Sequence, residues 1–418
     1  MLLLKNCMVK DEIVDVGIDG KTIVAIGKGL EAEGAAVVEV GGKTLLPAFV
    51  DMHTHLREPG YEYKEDIASG AAAAVKGGFS AIACMPNTLP ICDNAAVVGY
   101  IRQRAKEVDL CKVYPVGAIT KGEQGEELAE MGKMKEAGAV AVSDDGRPVE
   151  RAVMMRHAIE YASDFGLPVL SHCEDKSLAE GGSVNEGYYS MLTGLKGISA
   201  ASEEIMASRE ILLAEALNRP VHLCHISTKG TVRMVREAKA RGVRVTAETC
   251  PHYFAADDSM VATFDARTKV NPPLRGLEDV AAIKAGLQDG TIDAIVTDHA
   301  PHAFDEKNVE YQLAAFGISG IETSFALSYT NLVETGLLSL EKLSELMTTN
   351  PAKILGIPYG EIKEGGLADL VVVDLGAEWI IDPADFRSKG KNTPFAGRRV
   401  HGKVLMTLVE GQIKYKEA

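Results

Sequence analysis

The sequence predicts a (β/α)8 TIM-type barrel, an α/β fold, carrying a smaller β-domain built from both chain ends. Three observations predict it. The middle of the chain alternates apolar strand runs with Ala/Glu/Lys/Arg-rich helical stretches, and eight strand-then-helix units can be counted. Most of those strand runs end on polar or ionisable residues. The two chain ends instead hold short strands broken by glycines, with little that reads as helix. A doubly wound open sheet is the structural rival, but it gathers its ligand residues at one switch point rather than at most strand ends.

The N-terminal strands are Ile13-Val-Asp-Val-Gly-Ile, Thr22-Ile-Val-Ala-Ile and Val37-Val-Glu-Val. Those near the C-terminus are Leu370-Val-Val-Val-Asp, Trp379-Ile-Ile, Val404-Leu-Met-Thr-Leu-Val and Gln412-Ile-Lys-Tyr. One discontinuous domain, residues 1–46 and 357–418, pairs them. Residues 47–356 form the barrel, with strand runs 45–55, 79–87, 113–120, 139–145, 168–172, 221–225, 243–250 and 292–298. Helical stretches such as 200–217 and 232–240 intervene. No fixed-period repeat or low-complexity segment interrupts this order.

The 418 residues are 46% hydrophobic and 25% charged, ample for a large buried core. A formal net charge of −15 argues against nucleic acid or an anionic membrane as the main partner, although local cations can still receive a small anion. The N-terminus lacks the apolar core of a signal peptide, and no run approaches the ~20 apolar residues of a membrane span. The seven cysteines form no C-x-x-C pair and lie mostly in apolar runs, as reduced core residues of a cytoplasmic protein.

Ionisable groups gather where the strands end. Strand one ends in His53-Thr-His55, with Arg57 behind it. Side chains two apart on a strand share a face, so both imidazoles can reach one metal. Strand four ends in Ser143-Asp144-Asp145-Gly146, strand five in Ser171-His172, strand six in His222-Leu-Cys-His225, and strand eight in Thr297-Asp298-His299. Taken singly, a His-x-His is more often incidental, an Asp-Asp-Gly is usually a turn, and a strand-end Asp is often a helix cap. Together they match a nitrogen/oxygen site for Zn²⁺ or a similar ion. His222, three residues before His225, is expected to face the other side of its strand as a core or supporting residue. His299 is expected to face away for the same reason. The role of His252 stays open, and His157 and His401 read as structural.

The run Asp51-Met-His-Thr-His-Leu-Arg-Glu-Pro-Gly60 resembles the first-strand signature of class I dihydroorotases, of the amidohydrolase superfamily. So do Met85-Pro-Asn87-Thr, Ser143-Asp-Asp-Gly146, Ser171-His-Cys-Glu-Asp175, Asn271-Pro-Pro-Leu-Arg275 and Thr297-Asp-His-Ala-Pro-His302, in order through the barrel. The resemblance extends to the two ends, which in this superfamily form a composite β-sandwich. It implies that His53, His55 and Asp298 hold one zinc and that His172 and His225 hold a second. A strand-four residue and a hydroxide would bridge the two ions. Many relatives bridge with a carbamylated lysine, but no lysine lies between Lys135 and Asp145. The resemblance favours Asp145 as the bridge, with Asp144 as the competing candidate.

The resemblance further implies that Arg57 and Asn87 grip the substrate carboxylate, with Asn271, His302, Phe316 and Gly317 as further substrate contacts. The segment 303–320 resembles the mobile loop that covers such sites. The implied reaction is the reversible hydrolysis of dihydroorotate to N-carbamoyl-aspartate in pyrimidine biosynthesis, with Asp298 as the proton carrier. Implied partners are a second copy, as a homodimer, and aspartate carbamoyltransferase. The rivals are another cyclic amidase, such as a hydantoinase (dihydropyrimidinase) or allantoinase, and a non-catalytic scaffold relative. Arg57 and Asn87 argue against the first, since a hydantoin carries no obligatory carboxylate. The filled ligand positions argue against the second.

Overall fold

The computed structural model describes residues 1–417. Eight short parallel strands surround a central axis. They are Phe49–Thr54, Phe79–Cys84, Lys112–Gly117, Ala141–Val142, Leu170–Ser171, Val221–Leu223, Val245–Thr249 and Ala294–Ile295. Strands one to four form one parallel sheet and strands five to eight another. Two parallel bridges close them into a ring, Val142 with Val169 and Thr54 with His299. The backbone bonds Val142 N–Pro168 O (3.0 Å) and His55 N–His299 O (2.8 Å) seal the same joints.

Two layers of apolar side chains follow from the strand alternation. Phe49, Ile82, Val142, Leu223 and Ile295 pack outward in the large core that also holds the helices. Val50, Met52, Ala81, Ala83, Val116, Leu170 and Val296 fill the interior with Ala352, Leu355 and Ile357.

The terminal strands form one eight-stranded mixed sheet. Thr44–Pro47 pairs antiparallel with Leu370–Ile380, which joins the two ends of the chain. The single run expected over 45–55 is therefore two strands, Thr44–Pro47 in the terminal sheet and Phe49–Thr54 in the barrel. They part at Ala48, just after Pro47, which has no N–H to donate to a ladder. Between Ile380 and Arg399 the chain leaves the sheet and packs on the barrel, where Lys389 Nζ contacts Asp66 and Ser388 Oγ contacts the buried Glu65. All seven cysteines are buried and free. Among the described residues no helix is long and apolar enough to cross a membrane.

The helix Ala200–Leu217 shows how the outer layer serves the strand ends. Ser199 caps it and Asn218, in the left-handed region, stops it. Its buried stripe of Met206, Ala207, Ile211 and Ala214 also includes two carboxylates, Glu203 and Glu210. Glu210 accepts from Ser171 Oγ, beside His172 (3.1 Å). Glu203 accepts from the Ser227 and Thr228 amides (each at 3.1 Å), just beyond His225.

Candidate active site

His53, His55, Asp145, His172, His225 and Asp298 converge at one end of the ring, and all six are buried. Several local devices aim them. The register between strands one and two slips between Asp51 and Thr54, at the histidine pair, and such slips re-aim side chains. Asp51 joins strand one to strand eight by accepting from His53 N (3.1 Å), Thr297 N (3.3 Å) and Thr297 Oγ1 (2.5 Å). His225 (φ 34°), Asp298 (φ 44°) and Arg57 (φ 63°) sit in the left-handed region, an unfavourable conformation held by their surroundings.

The donor spacings form two sets. His55 Nε2 and His53 Nε2 lie 3.1 and 3.6 Å from Asp298 Oδ1, and each lies 3.4 Å from an oxygen of Asp145. His172 Nδ1 and His225 Nε2 lie 2.9 Å apart, each 3.5 Å from Asp145 Oδ1. Zinc–nitrogen bonds of 2.0–2.1 Å place tetrahedral donors about 3.3 Å apart, so both sets fit ions of that size. Asp145 belongs to both. Asp144 turns away and accepts from Ile119 N (2.7 Å) and Thr120 N (3.0 Å), which excludes it from the cluster.

The electrostatics favour positive charge at the centre. Burial by itself would raise the Asp145 carboxyl, but His53, His172 and His225 hold it well below the usual carboxylate range. Asp298 is likewise held low against burial by His55 and His53. Burial disfavours a charged His172, yet Asp145 and Glu174 lift it to about 10. His53 Nε2 and Asp145 Oδ1 are buried with no hydrogen-bond partner. Buried polar atoms are rarely left so, and these two face the cluster, as donors to a cation would. The residues present therefore fit a metal.

A cavity of about 210 Å³ opens over this cluster, lined by Arg57, Asn87, Asn271, His302, Phe316 and Gly317 as well as His55, Asp145, His172, His225 and Asp298. Every expected site residue lines it except His53, which lies beneath. Arg57 donates to Pro301 O (3.3 Å), its NH2 stands 3.4 Å from His302 Nε2, and no carboxylate among the described residues comes within 4.0 Å of it. Asn87 Oδ1 accepts from His55 Nδ1 (2.9 Å), which leaves His55 Nε2 free for the cluster. Asn271 Nδ2 donates to Glu174 Oε1 (2.9 Å). Burial, together with Arg57 nearby, pushes the His302 imidazole down to about 3, so it is neutral.

The residue that pattern reading passed over is Glu248. It accepts from His53 Nδ1 (2.7 Å) and meets His222 Nε2 (3.0 Å). Burial would raise its carboxyl, but the two imidazoles hold it at about 2. His222 therefore lies inside the barrel beneath the donors rather than across the strand from His225. The strand ends at Leu223 and His225 sits in a left-handed turn, so period-two alternation stops short of it. The signal for Glu248 was available, since a carboxylate in the apolar run Val245-Thr-Ala-Glu-Thr needs a buried partner. His299 does face away, its Nε2 on Glu65 (3.3 Å). His252 is buried in a short helix, and burial pushes it down to about 4. His401 pairs with Glu334 (2.8 Å), and His157 is exposed on its helix.

Comparison with known proteins gives the family and the fold. Residues 42–231 match the family model described as Dihydro-orotase-like, and residues 193–415 match the Amidohydrolase family. A dihydroorotase of Syntrophus aciditrophicus is 53% identical over 97% of this chain and 96% of its own length. One of Pelotomaculum thermopropionicum is 52% identical over 99% and 98%. Among solved structures, the L-hydantoinase (dihydropyrimidinase) of Arthrobacter aurescens superposes with a TM-score of 0.87 at 25% identity, covering 99% of this chain and 95% of that one. The dihydropyrimidinase of Brevibacillus agri shares the fold with a TM-score of 0.85 at 23% identity, covering 99% and 94%. With relatives above half identity along nearly its whole length, this chain belongs to the dihydroorotase family of amidohydrolases.

Proposed function

We propose that this chain interconverts dihydroorotate and N-carbamoyl-aspartate with two zinc ions, one held by His53, His55 and Asp298, the other by His172 and His225, with Asp145 shared. The observation that carries the substrate is Arg57, a guanidinium at the cavity wall with no carboxylate partner of its own. A planar fork of donors suits a substrate carboxylate. Asn87, its oxygen taken by His55, has its amide N–H groups left to donate beside Arg57. Asn271, its N–H2 taken by Glu174, has its oxygen left to accept from a ring N–H.

When bound, two ions supply an acidified water and polarise the scissile carbonyl. The chain does the rest. Arg57, Asn87 and Asn271 orient the ring, and the cavity limits the water around it. Asp298, held ionised, accepts a proton at its carboxylate and returns it to the ring nitrogen as the amide bond breaks. In the closing direction the same carboxyl gives and takes the proton in reverse order.

The test compares ring opening of dihydroorotate, hydantoin, dihydrouracil and allantoin by wild type and Arg57→Ala, alongside zinc content. Dihydroorotate is expected to be preferred, with its KM rising steeply in the variant. An unchanged KM in Arg57→Ala, or a preference for hydantoin, refutes the substrate assignment. Zinc content well below two per chain in fully active protein refutes the metal count. Homodimerisation belongs to the same reading and is supported by the short helix Tyr188–Thr193, which exposes Tyr188, Met191 and Leu192. Sedimentation that returned only a 44.6 kDa species would remove it.

A further inference from the structure

Asn392 lies outside the barrel in sequence, on the excursion between Ile380 and Arg399, yet it is buried against the cavity wall. Its Oδ1 accepts from His302 N (3.1 Å) and Ser319 Oγ (3.0 Å). Its Nδ2 donates to Gly317 O (2.9 Å), and its main-chain oxygen accepts from Ser319 N (2.8 Å). One side-chain amide thus ties together the two ends of segment 302–317, both of which line the cavity.

The segment it ties has little slack. Gly317 has φ 142°, and a Cβ there would meet Ala300 O at 2.5 Å, so its backbone is pressed against the strand-eight loop. Gly317 N donates to Lys269 O (3.0 Å), and Phe316 O accepts from His302 Nε2 (2.8 Å). Lys307 Nζ adds a second grip, donating to Ala315 O (2.7 Å), Gly317 O (3.1 Å) and Lys269 O (3.0 Å). Lys307 comes from the segment itself and reaches only its C-terminal end and Lys269, whereas Asn392 comes from another part of the chain and holds both ends.

We propose that Asn392 is a positioning residue for substrate binding, setting the separation of His302 from Gly317 and so the width of the cavity. Only a primary amide of this length offers an acceptor to His302 N and a donor to Gly317 O at once. Asn392 contacts none of the six clustered donors, so its effect falls on binding of substrate rather than on the proton carrier or the metal. The kinetic part rests on the dihydroorotate reading; the structural part does not.

The experiment uses the full-length, metal-loaded chain with Asn392→Ala and the near-isosteric Asn392→Asp, which keeps the acceptor and removes the donor. Hydrogen exchange is followed on the peptide spanning 299–320, and dihydroorotate kinetics in parallel. The expected result for both variants is about tenfold faster exchange in that peptide and a KM about tenfold higher, with kcat within twofold and zinc content unchanged. If Asn392→Ala does not fold, Asn392→Asp decides alone. Exchange and KM both within twofold of wild type overturn the proposal, as does a loss of kcat at unchanged KM, which marks a merely structural residue. If wild type does not turn over dihydroorotate, the functional reading fails, and exchange still decides the role of Asn392.

Discussion

Replacing Glu248 should weaken metal binding without touching a metal donor. Both of its oxygens are engaged, one by His53 and one by His222, and no part of the side chain meets solvent. Its bond to His53 Nδ1 keeps the proton there and presents the Nε2 lone pair to the cluster. Glu248→Gln preserves shape and one acceptor, so one imidazole must change tautomer. His222 can do so by donating from Nδ1 to Thr246 Oγ1, 2.8 Å away. What is lost is the charge in a charge-assisted bond, about 1 kcal/mol, or roughly fivefold in metal affinity. Glu248→Ala leaves two buried nitrogens without partners at about 1–3 kcal/mol each, and the His53 share alone gives roughly 30-fold weaker metal binding. Competition with a chromogenic chelator measures this directly, with thermal unfolding as the control for folded protein. A folded Glu248→Ala whose metal affinity lay within twofold of wild type would refute the reasoning, because orientation of His53 would then owe nothing to Glu248.

Three further outcomes follow from the same geometry. Asp298→Asn should lose turnover by three or more orders of magnitude while metal analysis still finds most of the metal, since four imidazoles and Asp145 remain; near-normal turnover in the metal-replete variant would remove Asp298 as proton carrier. His172 keeps its proton up to about pH 10 in the metal-free protein, so an incoming cation must displace it, and metal affinity measured at pH 6, 7 and 8 should climb by about tenfold per unit for each displaced proton. Glu123 is buried without a partner, and burial, with Asp144 and Asp145, pushes its carboxyl up to about 8. Being raised above its unfolded value, it supports folding fully below about pH 4.5 and loses that support as pH rises through 8; Glu123→Gln should therefore gain about 2–4 kcal/mol over wild type between pH 5 and 8.5, read as a difference in Tm.

The barrel and its donors were legible because their signals are local. His53-Thr-His55 stood out by its spacing on one strand, and the absence of a lysine from strand four pointed to an aspartate there, with the resemblance favouring Asp145 over Asp144. The supporting residues were harder to see because their partners lie far along the chain. Glu248 meets His53 across 195 positions, and Asn392 meets His302 across 90. Period two misplaced His222 because the strand stops before His225. The division at Ala48 was hidden because only one small apolar residue separates Thr44–Pro47 from Phe49–Thr54, and the strands each pairs with lie elsewhere along the chain.

The ring itself is two four-stranded arcs meeting at two joints, one between strands four and five and one between strands eight and one. The six donors divide evenly between the arcs. His53, His55 and Asp145 stand on the first; His172, His225 and Asp298 stand on the second. Asp298 faces the two histidines of strand one across one joint, and Asp145 faces His172 and His225 across the other. On the two-ion reading, an ion in either half of the cluster would lie across one of these joints, tying side chains of the two arcs where the bridges Val142–Val169 and Thr54–His299 tie their backbones.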